Sequence, residues 1–311
     1  MAKLTIGLAG CGTWGLKILR HLVAMDVRVL GVDSSVEAQE RALAAGAELV
    51  KATDDAWVEA DAYVVATPAT THYAVIRDLL ELEGSIFCEK PFTVDGAHAE
   101  ELARRGAGRI FLGHIWRFHP AIGALRDIAQ SGELGRIHGV RTVRANWTSP
   151  RRDTDALWTL APHDLTIGWE ILSQRLSPQA CRFEWRGERV VGVDAWLGDE
   201  PWLTFQVSNR YADKRREVRV HGERGVAVWP GMEADRIEIY HDVADDATTG
   251  PELREVDFPP HEPLREELRE FVDFVRGEGP APRCSVLEGL AVVQDLERLR
   301  DLAERADGGG T

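Results

Sequence analysis

The sequence predicts an α/β protein: an N-terminal domain built on a doubly wound parallel sheet, then a C-terminal α+β domain with a large, mostly antiparallel open sheet. Three observations predict it. Apolar strand-like runs alternate with helix-period runs over residues 1–120. A glycine cluster, Gly10-Cys11-Gly12-Thr13-Trp14-Gly15, stands at the first strand-to-helix junction. Beyond residue 120 the alternation gives way to successive strand-like runs separated by turn signals.

In order, residues 4–9 read as a short buried strand running into glycines, and Ile18, Leu19, Leu22 and Val23 follow at helical spacing. Strands are expected over 27–32, 48–50, 62–66, 85–88 and 109–112, with helices over 36–45, 72–82 and 94–105. A helix over 122–130 leads into strands at 137–147, 181–186, 190–197, 202–207, 218–221, 226–229 and 237–240. One helix, about 162–172, interrupts that run. Residues 242–262, acidic and containing proline, read as a loop. Two helices, 264–276 and 286–303, close the chain, and Asp307 to Thr311 read as a disordered tail. The expected domains are 1–120 and 121–311, with the closing helices packing back on the first.

Composition excludes several classes. A net charge of −14, from 51 acidic and 37 basic residues, argues against a nucleic-acid binder, which needs a basic footprint. No apolar run approaches the ~20 residues of a membrane span. Leu8-Ala9-Gly10-Cys11 has the look of a lipoprotein cleavage box, but the apolar stretch before it falls short of the ~7–15 residues of a signal sequence. Cys11, Cys88, Cys181 and Cys284 are too scattered for a disulfide framework, which points to the cytoplasm. The histidines show no H-x-x-x-H spacing and no cysteines pair up, so no metal site is expected.

The glycine cluster is G-x-G-x-x-G. It follows a predicted strand, opens a predicted helix, and Asp33 lies beyond it at the end of the next strand. That context is the dinucleotide fingerprint of a Rossmann domain. Gly10 permits the tight turn, Gly12 lets a pyrophosphate approach the backbone, and Gly15 allows helix and strand to pack closely. Thr13 and Trp14 begin the helix whose N-terminal N–H groups attract phosphate. The Asp33 carboxylate suits both ribose hydroxyls and repels a 2′-phosphate, which favours NAD over NADP.

Three further stretches carry a resemblance: Ala66-Thr67-Pro68-Ala69-Thr70-Thr71-His72, Cys88-Glu89-Lys90-Pro91, and Gly113-His-Ile-Trp-Arg-Phe-His-Pro120. In this order, after the glycine fingerprint, they resemble the glucose–fructose oxidoreductase / inositol dehydrogenase / MocA-type family over essentially the whole chain. The resemblance implies an NAD-dependent dehydrogenase acting on a secondary alcohol of a sugar, polyol or nucleotide sugar. It implies that Thr67, Pro68, His72, Glu89 and Lys90 line the cofactor, that Lys90 contacts the substrate oxygen, and that His163 handles the proton with Asp164 beside it. Trp116 and Arg117 fall where substrate would bind, with His119 next to them. Arg144, Arg151 and Arg152 suit a carboxylate or diphosphate. Many relatives carry an aspartate four residues before this histidine; here Thr159 stands there, and Asp155 and Asp164 are the candidates to replace it. The resemblance also implies a homodimer or homotetramer through the second sheet, near which Trp147, Trp185, Trp196, Trp202 and Trp229 gather. A non-catalytic NAD-binding regulator and an imine or enamine reductase are the alternative activities.

Overall fold

The computed structural model describes residues 3–51, 57, 59–148, 153–241 and 250–308. The chain forms two compact units, Met1–His114 with Pro263–Val293, and Ile115–Glu262 with Gln294–Thr311.

In the first unit β1 (Thr5–Ala9), α1 (Thr13–Ala24), β2 (Arg28–Val32), α2 (Val36–Ala44), β3 (Leu49–Lys51), β4 (Ala62–Val65), α3 (His72–Leu79), β5 (Ser85–Glu89), α4 (Gly96–Arg105) and β6 (Ile110–Gly113) follow in turn. The six strands are all parallel and ordered β3-β2-β1-β4-β5-β6. A parallel sheet covered on both faces needs strands that are apolar throughout, and Ile6, Leu8, Val64 and Ile86 are fully buried. The strand order reverses between β1 and β4, and the crevice beyond the carboxyl ends of such strands is where open α/β sheets take ligands. α1 buries Ile18, Leu19 and Leu22. Helix α7 (Pro263–Arg276) belongs to this unit and buries Leu268, Phe271 and Val272. The Phe271 ring meets Phe87 at 5.6 Å and Phe111 at 6.2 Å.

The second unit holds α5 (Pro120–Gln130), β7 (Ile137–Trp147), α6 (Ala156–Leu172), β8 (Pro178–Arg186), β9 (Arg189–Leu197), β10 (Trp202–Ser208), β11 (Arg210–Gly222), β12 (Gly225–Trp229), β13 (Arg236–His241) and β14 (Glu252–Asp257). Eight strands run in the order β14-β13-β12-β11-β7-β10-β9-β8. Every neighbouring pair is antiparallel except β7 with β10.

Four expectations need correction. The segment read as a loop contains β14, whose backbone pairs with β13 from Glu252 to Asp257. It lies at the sheet edge and is almost wholly exposed, so it carries charge where a central strand carries an apolar stripe. β11 begins at Arg210, eight residues ahead of the expected strand, because Ala212 to Arg215 are exposed and give no hydrophobic alternation. α6 begins at Ala156, not at Pro162: Asp155 caps it, its Oδ1 accepting from the Trp158 N–H at 3.3 Å. Pro162 supplies no N–H to the preceding turn, but burial of most of the helix carries it through the proline. The last helix, α8 (Val286–Gly308), runs past the expected start of the tail.

Candidate active site

The glycine cradle is built by steric necessity. Gly10 has φ of +91°, and a Cβ there would lie 2.7 Å from the Ala66 carbonyl carbon. A Cβ on Gly15 would lie 1.9 Å from the Gly10 oxygen, so only glycine lets α1 start this close to β1. A Cβ on Gly12 would meet nothing within 4 Å, so its backbone borders open space. The N-terminus of α1 has no side-chain cap and no acid in its first turn, which leaves its N–H groups and positive dipole end for an anion. Thr13 is exposed, and Trp14 is half-buried with the Lys17 ammonium 5.2 Å from its ring centre. The Asp33 carboxylate is oriented by two backbone donors, Cys11 N at 2.6 Å and Ser35 N at 2.8 Å. Burial, and then the Asp33 charge, push the Cys11 thiol up to about 12, so it is no nucleophile. An open glycine backbone, an uncapped helix start and an oriented carboxylate on the next strand fit the diphosphate and ribose of NAD.

The ends of β4 and β5 form the neighbouring edge. Thr67 and the exposed Pro68 follow β4, with the Thr71 hydroxyl donating to Pro68 O at 2.7 Å. His72 is buried, its Nδ1 2.8 Å from Pro91 O and its Nε2 3.0 Å from Thr67 O. It therefore ties the turn after β4 to the segment after β5, and two carbonyl contacts of this kind make it a brace. Glu89 is buried at the end of β5, and Lys90 follows half-buried on the same edge. Glu267 of α7 feels the Glu89 charge, and its carboxyl is raised well above the usual range. Burial is the main cause; the charges of Glu89 and Glu270 add to it, while His114 backbone and Arg283 oppose it.

That position has a consequence for stability. A carboxyl raised in the folded state stays protonated after the unfolded chain has ionised, so its contribution is lost as pH rises from the ordinary carboxyl range toward the raised value. Glu267→Gln removes the loss. Urea unfolding should show the variant gaining on the wild type between pH 5 and pH 8, by on the order of 1–3 kcal/mol; a constant difference would place the proton elsewhere. The signal for this residue was in the sequence: its spacing from Leu264, Leu268 and Phe271 sets a carboxylate beside the apolar stripe of α7.

In the second unit His163 lies in the second turn of α6, and the Trp116 ring meets its imidazole edge-on at 6.3 Å. Asp164 Oδ2 accepts from Arg144 Nε at 2.7 Å in a buried ion pair. The Arg144 guanidinium lies 4.3 Å from the Trp116 ring centre. Asp155, besides capping α6, accepts from Arg300 Nη2 at 2.6 Å, and Thr159 shares a 3.0 Å hydrogen bond with Thr154. The two candidate replacements for the family aspartate are thus engaged with arginines. Arg117 pairs with Glu170 at 2.6 Å, and Arg126 pairs with the same carboxylate at 2.6 Å. Burial pushes the Glu170 carboxyl up, but the two guanidiniums outweigh it and hold it below its ordinary value. His119 caps α5, its Nδ1 accepting from the Ala121 N–H at 3.2 Å. Burial first, then the charges of His261 and Arg144, push it down to about 3, so it is neutral near neutral pH. Arg151 and Arg152 lie outside the described residues. Among the described residues no group of three or more potential ligands gathers to hold a metal ion.

Comparison with known proteins agrees with this geometry. Residues 4–109 match the model of the GFO_IDH_MocA oxidoreductase family with an NAD-binding Rossmann fold. The chain is 29% identical over 98% of its length, and 98% of the relative's, to a UDP-N-acetylglucosamine 3-dehydrogenase of Acidithiobacillus ferrooxidans. It is 34% identical to an inositol 2-dehydrogenase of Mycolicibacterium gilvum over 47% of this chain and 45% of that one. Its fold matches the levoglucosan dehydrogenase solved with NADH and levoglucosan at a TM-score of 0.84, covering 98% of each chain at 17% identity. The first unit, with its cradle, defines an NAD-binding oxidoreductase fold. The likeness to the Gfo/Idh/MocA oxidoreductase family model lies in residues 4–109, the NAD-binding part of the first unit.

Proposed function

We propose that this protein is an NAD-dependent dehydrogenase that interconverts a secondary alcohol and a ketone on a sugar, polyol or nucleotide sugar. The observation that carries the reading is the cradle: Gly12 open to space, α1 uncapped, and Asp33 aimed by two backbone N–H groups. The full-length relative that oxidises a nucleotide sugar supports the substrate class. NAD, when bound, supplies the hydride acceptor.

The chain's own residues do the rest. Gly10, Gly12, Thr13, Trp14 and Gly15 bind the dinucleotide from the start of α1, and Asp33 takes its ribose hydroxyls. Thr67, Pro68 and Glu89 line the same edge, and His72 holds the two turns in place. The Lys90 ammonium stabilises the alkoxide as the alcohol gives up its proton, and His163 receives that proton, a role suited to imidazole. Arg117, tied to Glu170, shapes the substrate side together with Trp116 rather than offering a free cation. Asp164, next to His163 in α6, holds Arg144, whose guanidinium lies over the Trp116 ring that meets the His163 imidazole. We assign the protein to the cytoplasm on its sparse, free cysteines. Among the described residues no helix is long and apolar enough to cross a membrane. Trp147, Trp185 and Trp196 are exposed on or beside the second sheet, whereas Trp229 is buried. These exposed rings favour a homodimer or homotetramer through that sheet.

The test is NADH formation from NAD across sugars, polyols, sugar acids and nucleotide sugars. Tight NADH binding with no turnover on any member would shift the reading to a regulator. Asp33→Ala should weaken NADH by about 10- to 100-fold, the value of charged hydrogen bonds, in a fluorescence titration. Unchanged affinity would remove Asp33 from the cofactor site.

A further inference from the structure

Strands β7 and β11 place Arg216 directly opposite Arg144, and Arg219 directly opposite Arg141. Like charges opposed across a ladder are destabilising, so each pair calls for an anion. Side chains alternate along a strand, so the two pairs lie on opposite faces of the sheet.

The Arg141/Arg219 pair is answered on its own face. Both oxygens of Glu217 accept from Arg219, at 2.7 and 3.1 Å, and Arg141 is exposed with its guanidinium 6.0 Å from the Trp202 ring centre. The Arg144/Arg216 pair faces α6 and has one carboxylate, Asp164, bound to Arg144. Among the described residues Arg216 forms no ion pair; its Nη1 donates to the backbone carbonyls of Ala145 and Arg215. Burial and the Arg144 charge push its guanidinium down to about 10, against the pull of Asp164. Two cations and one anion leave uncompensated positive charge beside His163, the residue before Asp164 in α6. Asp164 adds a second sign of an expected ligand. Its residue is 1% exposed, and its Oδ1 has no hydrogen-bond partner among the described residues. A buried carboxylate oxygen left without a donor is costly, and such groups usually have a reason.

We propose that Arg144 and Arg216 receive an anionic group of the substrate while Asp164 Oδ1 accepts a hydroxyl hydrogen of the same molecule, so that the protein selects an acidic polyol over a neutral one. The shared chemistry is an anionic oxygen cluster on a hydroxylated ring, supplied by the carboxylate of a sugar acid or by the diphosphate of a nucleotide sugar. The inference rests on the dehydrogenase reading for the reaction at His163, and binding tests it separately.

Isothermal titration of the NADH-loaded protein would compare D-glucuronate with D-glucose, and UDP-N-acetylglucosamine with N-acetylglucosamine. At least one acidic member should bind more than about 10-fold tighter than its neutral counterpart, and the pair that does so names carboxylate or diphosphate. Arg216→Met should cost that ligand about 10- to 100-fold in affinity. Arg216→Lys, which keeps the charge and guards against a folding defect, should recover part of the loss, with NADH affinity unchanged in both. Equal binding of every acidic and neutral pair, or acid affinity untouched by Arg216→Met, overturns the proposal. Acid binding without NADH formation would sink the dehydrogenase reading and leave the anion receptor standing.

Discussion

Lys90→Ala and His163→Ala should each lower kcat by about 10²- to 10⁴-fold while NADH binding is retained. The two roles are separate in physical terms. Oxidising an alcohol puts negative charge on oxygen and releases a proton, and neither event is easy without a partner. In the proposed mechanism the Lys90 ammonium would stabilise the first and the His163 imidazole would accept the second. On the proposed roles, the losses should fall on kcat and not on KM alone. Combined, the substitutions should cost less than the product of the two, since either leaves the oxygen without half of its support. Steady-state kinetics on the best substrate, with NADH titrations on each variant, is the measurement. Wild-type turnover in Lys90→Ala would remove Lys90 from the chemistry, and in His163→Ala would do the same for the histidine. The brace that His72 forms with Pro91 O and Thr67 O holds the segment that carries Lys90, so the lysine is placed by tertiary contacts as well as by its strand.

Asp164→Ala should destabilise the fold by about 3–5 kcal/mol, the usual consequence of stripping the partner from a buried ion pair. Arg144 and Asp164 side chains are 5% and 1% exposed, so neither charge can turn to water. Arg216, opposite Arg144 on the ladder, worsens the imbalance once the carboxylate is gone. Removing both partners, with Arg144→Leu added to Asp164→Leu, should recover much of the loss, because the buried Arg144 charge goes with its carboxylate and Arg216 loses the cation opposite it. Urea denaturation of the three proteins reads this directly. A loss within about 1 kcal/mol for Asp164→Ala, as for an exposed pair, would mean that the ion pair is weak or hydrated. The resemblance offered Asp164 as a catalytic neighbour of His163. Asp164 is also bound to Arg144, whose guanidinium stacks on Trp116.

The local order of the first unit was legible because each of its signals is short in sequence. An apolar strand, three glycines and an acid at the next strand end are read within Thr5 to Asp33, and the steric clashes at Gly10 and Gly15 explain why no other residue would serve. The antiparallel character of the second sheet was legible from its turns. What polar sequence hides was not. β14 and the start of β11 carry charge instead of alternation, and only pairing with a neighbouring strand makes them strands. The start of α6 was masked by Pro162, a local stop that burial overrides.

By itself, then, the sequence determined the fold class and the cofactor cradle, since these depend on period and glycine sterics, while the residues offered for chemistry came from the resemblance its short motifs carry. Tertiary structure alone decided how the charges are paired. The register of β7 against β11 opposes Arg144 to Arg216, α6 lends them a single carboxylate, and α7 buries Glu267 against Glu89. Such pairings join residues far apart along the chain, and Coulomb interactions depend on distance in space and on burial, neither of which a linear pattern records.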